Sequence, residues 1–293
     1  MAFNHTLSAI LRGRWFLDTD WAHAHLPLVI AMLNGGNVSF VERTGNQGIE
    51  QPFAVDASTM ERYDLSQAPP NSVGVLPISG PITKYNGDCG EPGSMARNTM
   101  LIGMGKNPNI GSVVMMLDTP GGEARAADTM SSTIQNFKKP ILSYVDGMCA
   151  SLGVWFSSNS DEVYLGNELN QIGSVGSYCT LMDFSGYLES MGIKMTEIYA
   201  PQSTEKNKGY RDALAGDTSA IEADLKIHVD AFIKSVANSA GTSRGDVAKA
   251  NTGTWSNGKM FYAKDAVKAG LADGIKSFDQ VASKAAWLAK RKN

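Results

Sequence analysis

An α/β fold is predicted for this sequence by two apolar segments, each of which ends in a glycine-rich turn and is followed by a helical pattern. Residues 111–118 and 141–145 are apolar without alternation, as expected for strands that are covered on both faces. Between them, Ala127, Met130 and Ile134 recur every three or four residues and mark one face of a helix. Strand, glycine turn and helix in repeated succession predict parallel strands joined by crossover helices, with functional loops at the carboxyl ends of the strands.

Further elements flank this repeat. Strands are predicted at 73–78, 162–165 and 196–199, and helices at 154–158, at 218–240 and, before a glycine turn, within 254–275. A polar stretch at 66–71 is typical of a linker and divides the chain. We therefore expect an N-terminal extension at 1–70 with one or two short helices, acting as an arm or pro-segment, then a core at 71–276 and a helical tail at 277–293.

Composition excludes several classes of protein. The 293 residues are 43% hydrophobic and 19% charged, and the net charge is −3, which is typical of a globular chain with a sizeable core. No basic block is long enough for a nucleic-acid footprint. The three cysteines, Cys89, Cys149 and Cys179, form neither a disulfide framework nor a zinc pattern, so free thiols in a reducing compartment are expected.

A membrane anchor is not expected. The longest apolar run, 26–33, contains Pro27 and is much shorter than the roughly 20 residues of a spanning helix. The first residues lack the basic and then apolar pattern of a secretory signal. These observations predict a cytoplasmic protein.

The first glycine turn, 118–122 (DTPGG), follows a buried strand. Glycine permits unusual backbone angles, so such a turn can direct peptide N–H groups outward. Two N–H groups aimed at one point make an oxyanion hole, in which each donor contributes about 3–4 kcal/mol to the transition state. Gly121 is the candidate donor here, and a plain structural turn is the alternative.

The second glycine turn, 147–153 (GMCASLG), supplies a candidate nucleophile. Ser151 lies after a strand, at the predicted start of a helix and among small neighbours that let a substrate backbone approach. The N–H of Leu152 is placed to join that of Gly121 around an oxyanion. On this turn alone, Ser151 can equally be a helix cap.

Three segments together carry a family resemblance. Residues 117–122 (LDTPGG), 147–153 (GMCASLG) and 171–176 (QIGSVG) resemble the D-S-P-G-G, A-A-S-G-G and T-G-S-I-G elements of signal peptide peptidase A and the related phage capsid-maturation proteases. The resemblance covers roughly residues 72–275. It implies the ClpP/crotonase type of fold, with repeated ββα units, and a serine endopeptidase that forms an acyl-enzyme at Ser151. Thr119 stands where the relatives carry serine, and Leu152 where many carry glycine.

The base that activates Ser151 is expected to be a lysine. Three of the four histidines lie in the N-terminal extension, and His228 falls on the apolar stripe of a predicted helix, where a structural role is expected. A lysine serves as a base only if its pKa falls about three units from about 10.4, which requires burial without a carboxylate partner.

The resemblance places the catalytic lysine after the predicted strand at 196–199. Lys206 matches best, and Lys208 is the rival. Glu205 is expected to point away, because a neighbouring carboxylate would keep the lysine protonated. By the same resemblance Ser174 hydrogen-bonds the neutral lysine amine, whereas its alternative is an ordinary serine in a glycine turn.

The resemblance implies no metal and no cofactor. It implies an extended peptide as substrate, a homo-oligomer with an active site shared between subunits, and a phage or prophage setting with capsid scaffold proteins as substrates inside a procapsid in the host cytoplasm.

Two other classes of protein stay open. Glu123 beside the glycine turn suits a crotonase-type acyl-CoA enzyme, and a catalytically inactive assembly protein of the same fold is the second. If Ser151 were not the nucleophile, Cys149 would be the next candidate.

Overall fold

The computed structural model describes residues 15–17, 51–87, 90–181, 183, 185–237 and 243–292. Its strands are β1 (Trp15–Leu17), β2 (Phe53–Val55), β3 (Arg62–Tyr63), β4 (Ser72–Ser79), β5 (Ile110–Thr119), β6 (Gly121–Glu123), β7 (Ile141–Ala150), β8 (Glu162–Leu165), β9 (Gln171–Gly173), β10 (Met260–Tyr262) and β11 (Gly274–Ile275). Its helices are α1 (Ser94–Lys106), α2 (Ala127–Gln135), α3 (Leu152–Ser158), α4 (Ser185–Ser190), α5 (Lys208–Leu214), α6 (Ser219–Ala237), α7 (Ser243–Ala250), α8 (Thr252–Trp255), α9 (Ala263–Ala269) and α10 (Phe278–Lys292).

A mixed sheet with a parallel centre organises the chain. Its order is β10-β9-β7-β5-β4-β2-β3, with β8 also paired to β7 and β11 paired to β8. Strands β4, β5 and β7 are parallel, and β7 has two successive partners: its first half pairs with β8 and its last three residues pair with β9. This switch leaves the carboxyl end of β7 between β5 and β9, where the site is built.

Apolar side chains cover both faces of the sheet. Along β4, Leu76 and Ile78 belong to one buried cluster, whereas Val73 and Val75 belong to the other. The first cluster packs under α1, α2 and α3, and the second packs under α10. Because both faces are buried, the strands read as continuous apolar runs, which is the physical reason for the pattern found in the sequence.

The predicted α/β fold is confirmed, and most central elements lie where expected. The strand predicted at 196–199 is wrong, since those residues have no regular structure and Ile198 is 91% exposed. Apolar composition alone suggested that strand, but none of the strands that the structure describes pairs with it. Helix α1 was missed because its apolar residues do not form a clear stripe, and Arg97 is buried among them.

The sheet begins before the predicted linker. Strand β2 pairs antiparallel with β4, and β3 pairs with β2, so residues from Phe53 onward already belong to the packed sheet. Short helices were expected near Trp15, but residues 15–17 are a strand. The other expected N-terminal helices lie outside the described residues.

A buried ion pair fixes the C-terminal part of the core. The Arg244 guanidinium on α7 donates to the Asp273 carboxylate at 2.9 Å and to the Ser160 carbonyl at 3.1 Å. The same carboxylate accepts the Val163 N–H from β8 at 2.7 Å. These contacts join α7, β8 and the segment before β11 into one packed unit.

In contrast, the segment from 181 to 214 has little packing. Neither α4 nor α5 has a buried residue. Among the residues of this segment that the structure describes, eight large apolar side chains are exposed: Leu181, Tyr187, Met191, Ile193, Met195, Ile198, Tyr210 and Leu214. We call this stretch the exposed segment. Among the helices that the structure describes, none is both long and apolar enough to cross a membrane.

Candidate active site

Ser151 occupies the sharp turn between β7 and α3. It is the N-cap residue of α3, with φ 52° and ψ −111°, a backbone conformation that costs a non-glycine residue about 1–3 kcal/mol. Its N–H donates to the Gly173 carbonyl of β9 at 2.8 Å, and its carbonyl accepts the Val154 N–H at 2.8 Å. The turn is therefore held from both sides by the backbone.

The side chain of Ser151 is buried and makes no hydrogen bond among the described residues. The residue is 1% exposed, and the Oγ is shielded from solvent. A buried hydroxyl without a partner costs about 1–3 kcal/mol. A strained backbone and an unpaired hydroxyl at one residue indicate a functional position, because neither feature stabilises the fold.

The two glycine turns meet at the carboxyl ends of neighbouring strands. Thr119 of β5 is the register partner of Cys149 of β7, two residues before Ser151. Gly153 packs so closely there that a Cβ on it would lie 2.7 Å from Thr119 Cγ2. The close approach of α3 to β5 brings Ser151 beside the turn that contains Gly121.

The two predicted oxyanion donors lie in different environments. The Gly121 N–H donates to Thr119 Oγ1 at 3.1 Å, and that hydroxyl donates to the Gly80 carbonyl at 2.7 Å. Leu152 is the first residue of α3, so its N–H belongs to the donors that a helix leaves without an intrahelical partner. The Leu152 N–H is thus available to a ligand, whereas the Gly121 N–H already donates to the Thr119 hydroxyl.

Strand β6 is clamped to the loop before α1. The Ile82 N–H donates to the Gly121 carbonyl, and the Glu123 N–H donates to the Ile82 carbonyl, both at 2.8 Å. Gly122 lies between these contacts, where a Cβ would stand 1.9 Å from the Ile82 oxygen. Only glycine fits this approach, so the second glycine of the turn is required to keep β6 in place.

Ser174 is brought close to the nucleophile turn. It directly follows Gly173, whose carbonyl accepts the Ser151 N–H, and Ala150 is the register partner of Gly173. Ser174 also has a positive φ of 57°, and its N–H donates to the Lys259 carbonyl at 2.9 Å. The two serines therefore sit at the ends of paired strands, both in unusual backbone conformations.

The two candidate lysines lie in the exposed segment and differ in their contacts. Lys206 is exposed, and within the described part of the chain its amine makes no hydrogen bond or ion pair with Ser151, Ser174 or any other residue. The Lys208 amine binds the Asp212 carboxylate, and this hydrogen bond raises the pKa of Lys208. A lysine held protonated by a carboxylate is a poor base, so Lys208 fits the role less well than Lys206.

The alternative catalytic groups are occupied or inert. Burial raises the pKa of the Cys149 thiol to about 12, which disfavours a reactive thiolate. The buried Glu123 carboxylate binds Arg125 and accepts the Lys84 N–H at 3.1 Å. His228 Nδ1 lies 2.9 Å from the Asp224 carbonyl within α6, as expected for a structural histidine.

Three supporting residues were not identified from the sequence as functional. Asp118 accepts the Met148 N–H at 3.1 Å and so ties the two glycine turns together. The Thr119 hydroxyl holds Gly121, and the Asn170 amide donates to the Val145 carbonyl at 2.6 Å, next to β9. Polar side chains at the carboxyl end of a buried strand are the signal that could have marked Asp118 and Thr119.

Comparison with known proteins gives a family match. The profile of Peptidase family S49 matches residues 133–292, a range that contains Ser151, Leu152, Ser174 and Lys206 and begins after Gly121. The chain is 24% identical to Protease 4 of Haemophilus influenzae over 238 residues, covering 80% of this chain and 37% of that protein. It is 23% identical to the head-tail preconnector protein of Enterobacteria phage P21 over 214 residues, covering 70% of this chain and 41% of that protein.

A solved structure of a mutant of the 1510-N membrane-bound stomatin-specific protease is also similar. The identity is 20%, the alignment covers 71% of this chain and 81% of that chain, and the TM-score is 0.45. The fold assignment itself rests on the strand order described above. The chain thus spans less than half the length of the two curated relatives.

Proposed function

Because the chain belongs to peptidase family S49, we propose that it is a serine endopeptidase that forms an acyl-enzyme at Ser151. The observation that carries this proposal is the turn after β7, where a strained backbone holds a serine whose hydroxyl has no partner among the described residues. Nucleophiles on strained strand-to-helix turns are directed toward substrate in this way. The Ser151 oxygen attacks the scissile carbonyl, and the amine of the leaving peptide departs as the acyl-enzyme forms.

Lys206 is proposed as the base that takes the Ser151 proton and later returns it to the leaving amine. The Asp212 contact of Lys208 supports this choice, because Lys206 has no carboxylate partner among the described residues. Ser174 is proposed to orient the neutral amine of Lys206. Its place beside Gly173, which anchors the Ser151 N–H, supports that role.

The oxyanion is proposed to bind the N–H groups of Leu152 and Gly121. Leu152 supplies a first-turn helix donor, which favours a developing negative charge. Gly121 must weaken its bond to Thr119 Oγ1 when the oxyanion forms. Leu152 is expected to contribute about 3–4 kcal/mol to the transition state, and Gly121 less than that, because its N–H exchanges one hydrogen bond for another.

The active site is proposed to be shared between subunits of a homo-oligomer. A lysine amine acts as a base only when it is deprotonated, and removal from water favours that form. Lys206 is exposed within the single chain, and so are eight large apolar side chains among the described residues of the same segment. Many exposed apolar side chains in one segment are typical of an interface, so docking of this segment on a neighbour would bury these side chains together with Lys206.

Complementation tests the shared site. Ser151→Ala and Lys206→Ala proteins, each inactive, are mixed under conditions of subunit exchange, and cleavage of a peptide is measured. With random mixing in a ring, about a quarter of the interfaces pair an intact serine with an intact lysine, so about a quarter of the wild-type activity should return. The control mixes Ser151→Ala with the Ser151→Ala/Lys206→Ala double variant, which restores no intact serine. Verified exchange without recovered activity would show that each site is complete within one subunit.

An extended peptide is proposed as the substrate, since β6 lies next to the nucleophile turn and pairs with an extended strand along one edge, which β1 occupies in this structure. We propose capsid-maturation or signal-peptide-peptidase-like proteolysis in a cytoplasmic setting. Similarity to a phage head-tail preconnector protein, to Protease 4 and to a putative signal peptide peptidase supports the proteolysis. We propose a division of the chain into a 1–70 extension, a 71–276 core and a 277–293 tail, in which β2 and β3 of the extension and α10 of the tail pack on the core sheet. Neither metal nor cofactor enters this mechanism.

A serine-directed probe tests the peptidase itself. Incubation with a fluorophosphonate should add one phosphonyl group per chain at Ser151, as measured by intact mass and peptide mapping. An acyl-CoA enzyme is not favoured, because the Glu123 carboxylate is already bound by Arg125 and by the Lys84 N–H. Failure of the assembled protein to react would instead favour an inactive assembly protein of this fold.

A further inference from the structure

A strand from the N-terminal extension lies against the glycine turn of the site. Residues Trp15–Leu17 pair antiparallel with β6, and the two strands form a small sheet of their own. The register places Trp15 opposite Glu123, Phe16 opposite Gly122 and Leu17 opposite Gly121. Leu17 therefore stands opposite the candidate oxyanion residue.

This pairing fills the edge of β6 that the rest of the described core leaves open. On one edge, Ile82 binds the Gly121 carbonyl and the Glu123 N–H. Successive residues of a strand direct their backbone groups to opposite edges, so the N–H and carbonyl of Gly122 face the other edge. That second edge is where β1 lies.

A substrate peptide needs the same edge. An extended peptide adds to a sheet through backbone hydrogen bonds. Gly121 begins β6, and β6 contacts the helix that Ser151 caps, so a peptide paired with β6 would pass by the nucleophile turn. One edge accepts one strand. In this arrangement the Ser151 hydroxyl is also shielded from solvent.

We propose that β1 is an intramolecular occupant of the peptide-binding edge, which a substrate must displace before Ser151 is acylated. This inference rests on the proposed peptidase function. Three residues provide few backbone hydrogen bonds, so the occupant lowers access by a moderate factor and does not block it permanently. The strand is then an autoinhibitory contact within the chain, and its release regulates the enzyme.

The full-length chain with Phe16→Pro tests this proposal. Proline lacks the N–H that a paired strand donates, so β1 should detach from Gly122. The matched control, Phe16→Ala, keeps the N–H. Two probes are used: a small alkyl fluorophosphonate, which reports a competent Ser151, and a fluorophosphonate carrying a tripeptide, which must also pair with β6. Hydrogen–deuterium exchange of the segment 120–123 reports whether β1 is in place.

We expect Phe16→Pro to react with the peptidyl probe about tenfold faster than the wild type, and Phe16→Ala to stay within about twofold of it. Exchange in the segment 120–123 should increase in the proline variant alone. Equal peptidyl labelling of all three proteins would overturn the proposal. If neither probe labels any protein, the peptidase function fails, and unchanged exchange in the proline variant then overturns the position of β1 as well.

Discussion

The surroundings of Ser151 and of Lys206 differ in almost every physical respect. Ser151 is 1% exposed and is held by backbone hydrogen bonds from β9 and α3, at the end of a sheet that is buried on both faces. Lys206 lies in an exposed segment in which neither α4 nor α5 buries a side chain. One half of the proposed dyad is thus preorganised by the fold, and the other half is not.

This difference assigns separate tasks to the two regions. The sheet and its crossover helices maintain a strained serine whose cost the large core offsets. The exposed segment carries apolar side chains that a single chain does not cover. If assembly brings the two together, catalysis depends on oligomer concentration while folding of the core does not.

The largest effect is expected for Ser151→Ala. Loss of the attacking oxygen should lower peptide cleavage by on the order of 10⁴-fold or more. The fold should gain about 1 kcal/mol, because the change removes a buried hydroxyl that has no partner among the described residues. Cleavage assays and urea unfolding measure the two effects. Wild-type turnover in the alanine variant would contradict the assignment of the nucleophile.

The second largest effect on activity is expected at Lys206, and Lys208 nearby provides the comparison. Lys206→Ala should lose activity by about 10³-fold, as expected when a general base is removed. Lys208→Ala should stay within about threefold of the wild type, since the Lys208 amine is held by Asp212 and the hydrogen bond raises its pKa.

The pH profile of the wild type provides the second measurement for the lysines. Activity should rise with pH, because a lysine base must lose its proton before it can act. A profile that is flat from about pH 6 to pH 10 would argue against any lysine base.

The stability of the core is tested at its buried ion pair. Asp273→Asn should lower the free energy of unfolding by about 3 kcal/mol, because the Arg244 charge would stay buried without its carboxylate. The control is Glu168→Gln, which breaks the exposed pair with Lys264 and should change stability by less than about 0.5 kcal/mol. Urea titration measures the free energy of unfolding of both variants. Equal losses would mean that the buried ion pair stabilises the fold no more than the exposed one does.

The smallest effect is expected at the surface of the exposed segment. Ile198→Asp should leave the unfolding free energy within about 0.5 kcal/mol of the wild type, because the side chain is 91% exposed. At a fixed concentration it should lower activity about tenfold by weakening assembly. Leu169→Asp, which is 80% exposed in the turn before β9, is the control and should preserve both activity and sedimentation behaviour. If both variants lost a similar fraction of activity, the exposed segment would have no specific role in assembly.

The sequence by itself determined the central α/β pattern and the candidate nucleophile. Strands that are covered on both faces are continuously apolar, so β5 and β7 could be predicted from the sequence. The glycine turns that follow them indicated the carboxyl edge of the sheet. The strand predicted at 196–199 failed for the complementary reason. Apolar composition predicts that a segment is buried but not by what, and within the described part of the chain no strand pairs with residues 196–199.

Only the tertiary structure decided how these pieces relate. Register between β5 and β7 brings Gly121 beside Ser151, and pairing with β9 brings Ser174 to the same edge. The antiparallel strand at Trp15–Leu17 gave no readable signal, because three residues establish no period and their meaning comes from the edge that they occupy. Local spacing identifies the candidate side chains, whereas long-range strand pairing decides which of them lie in one site. Here strand pairing brings Ser151 and Ser174 together, but it does not bring Lys206 to them.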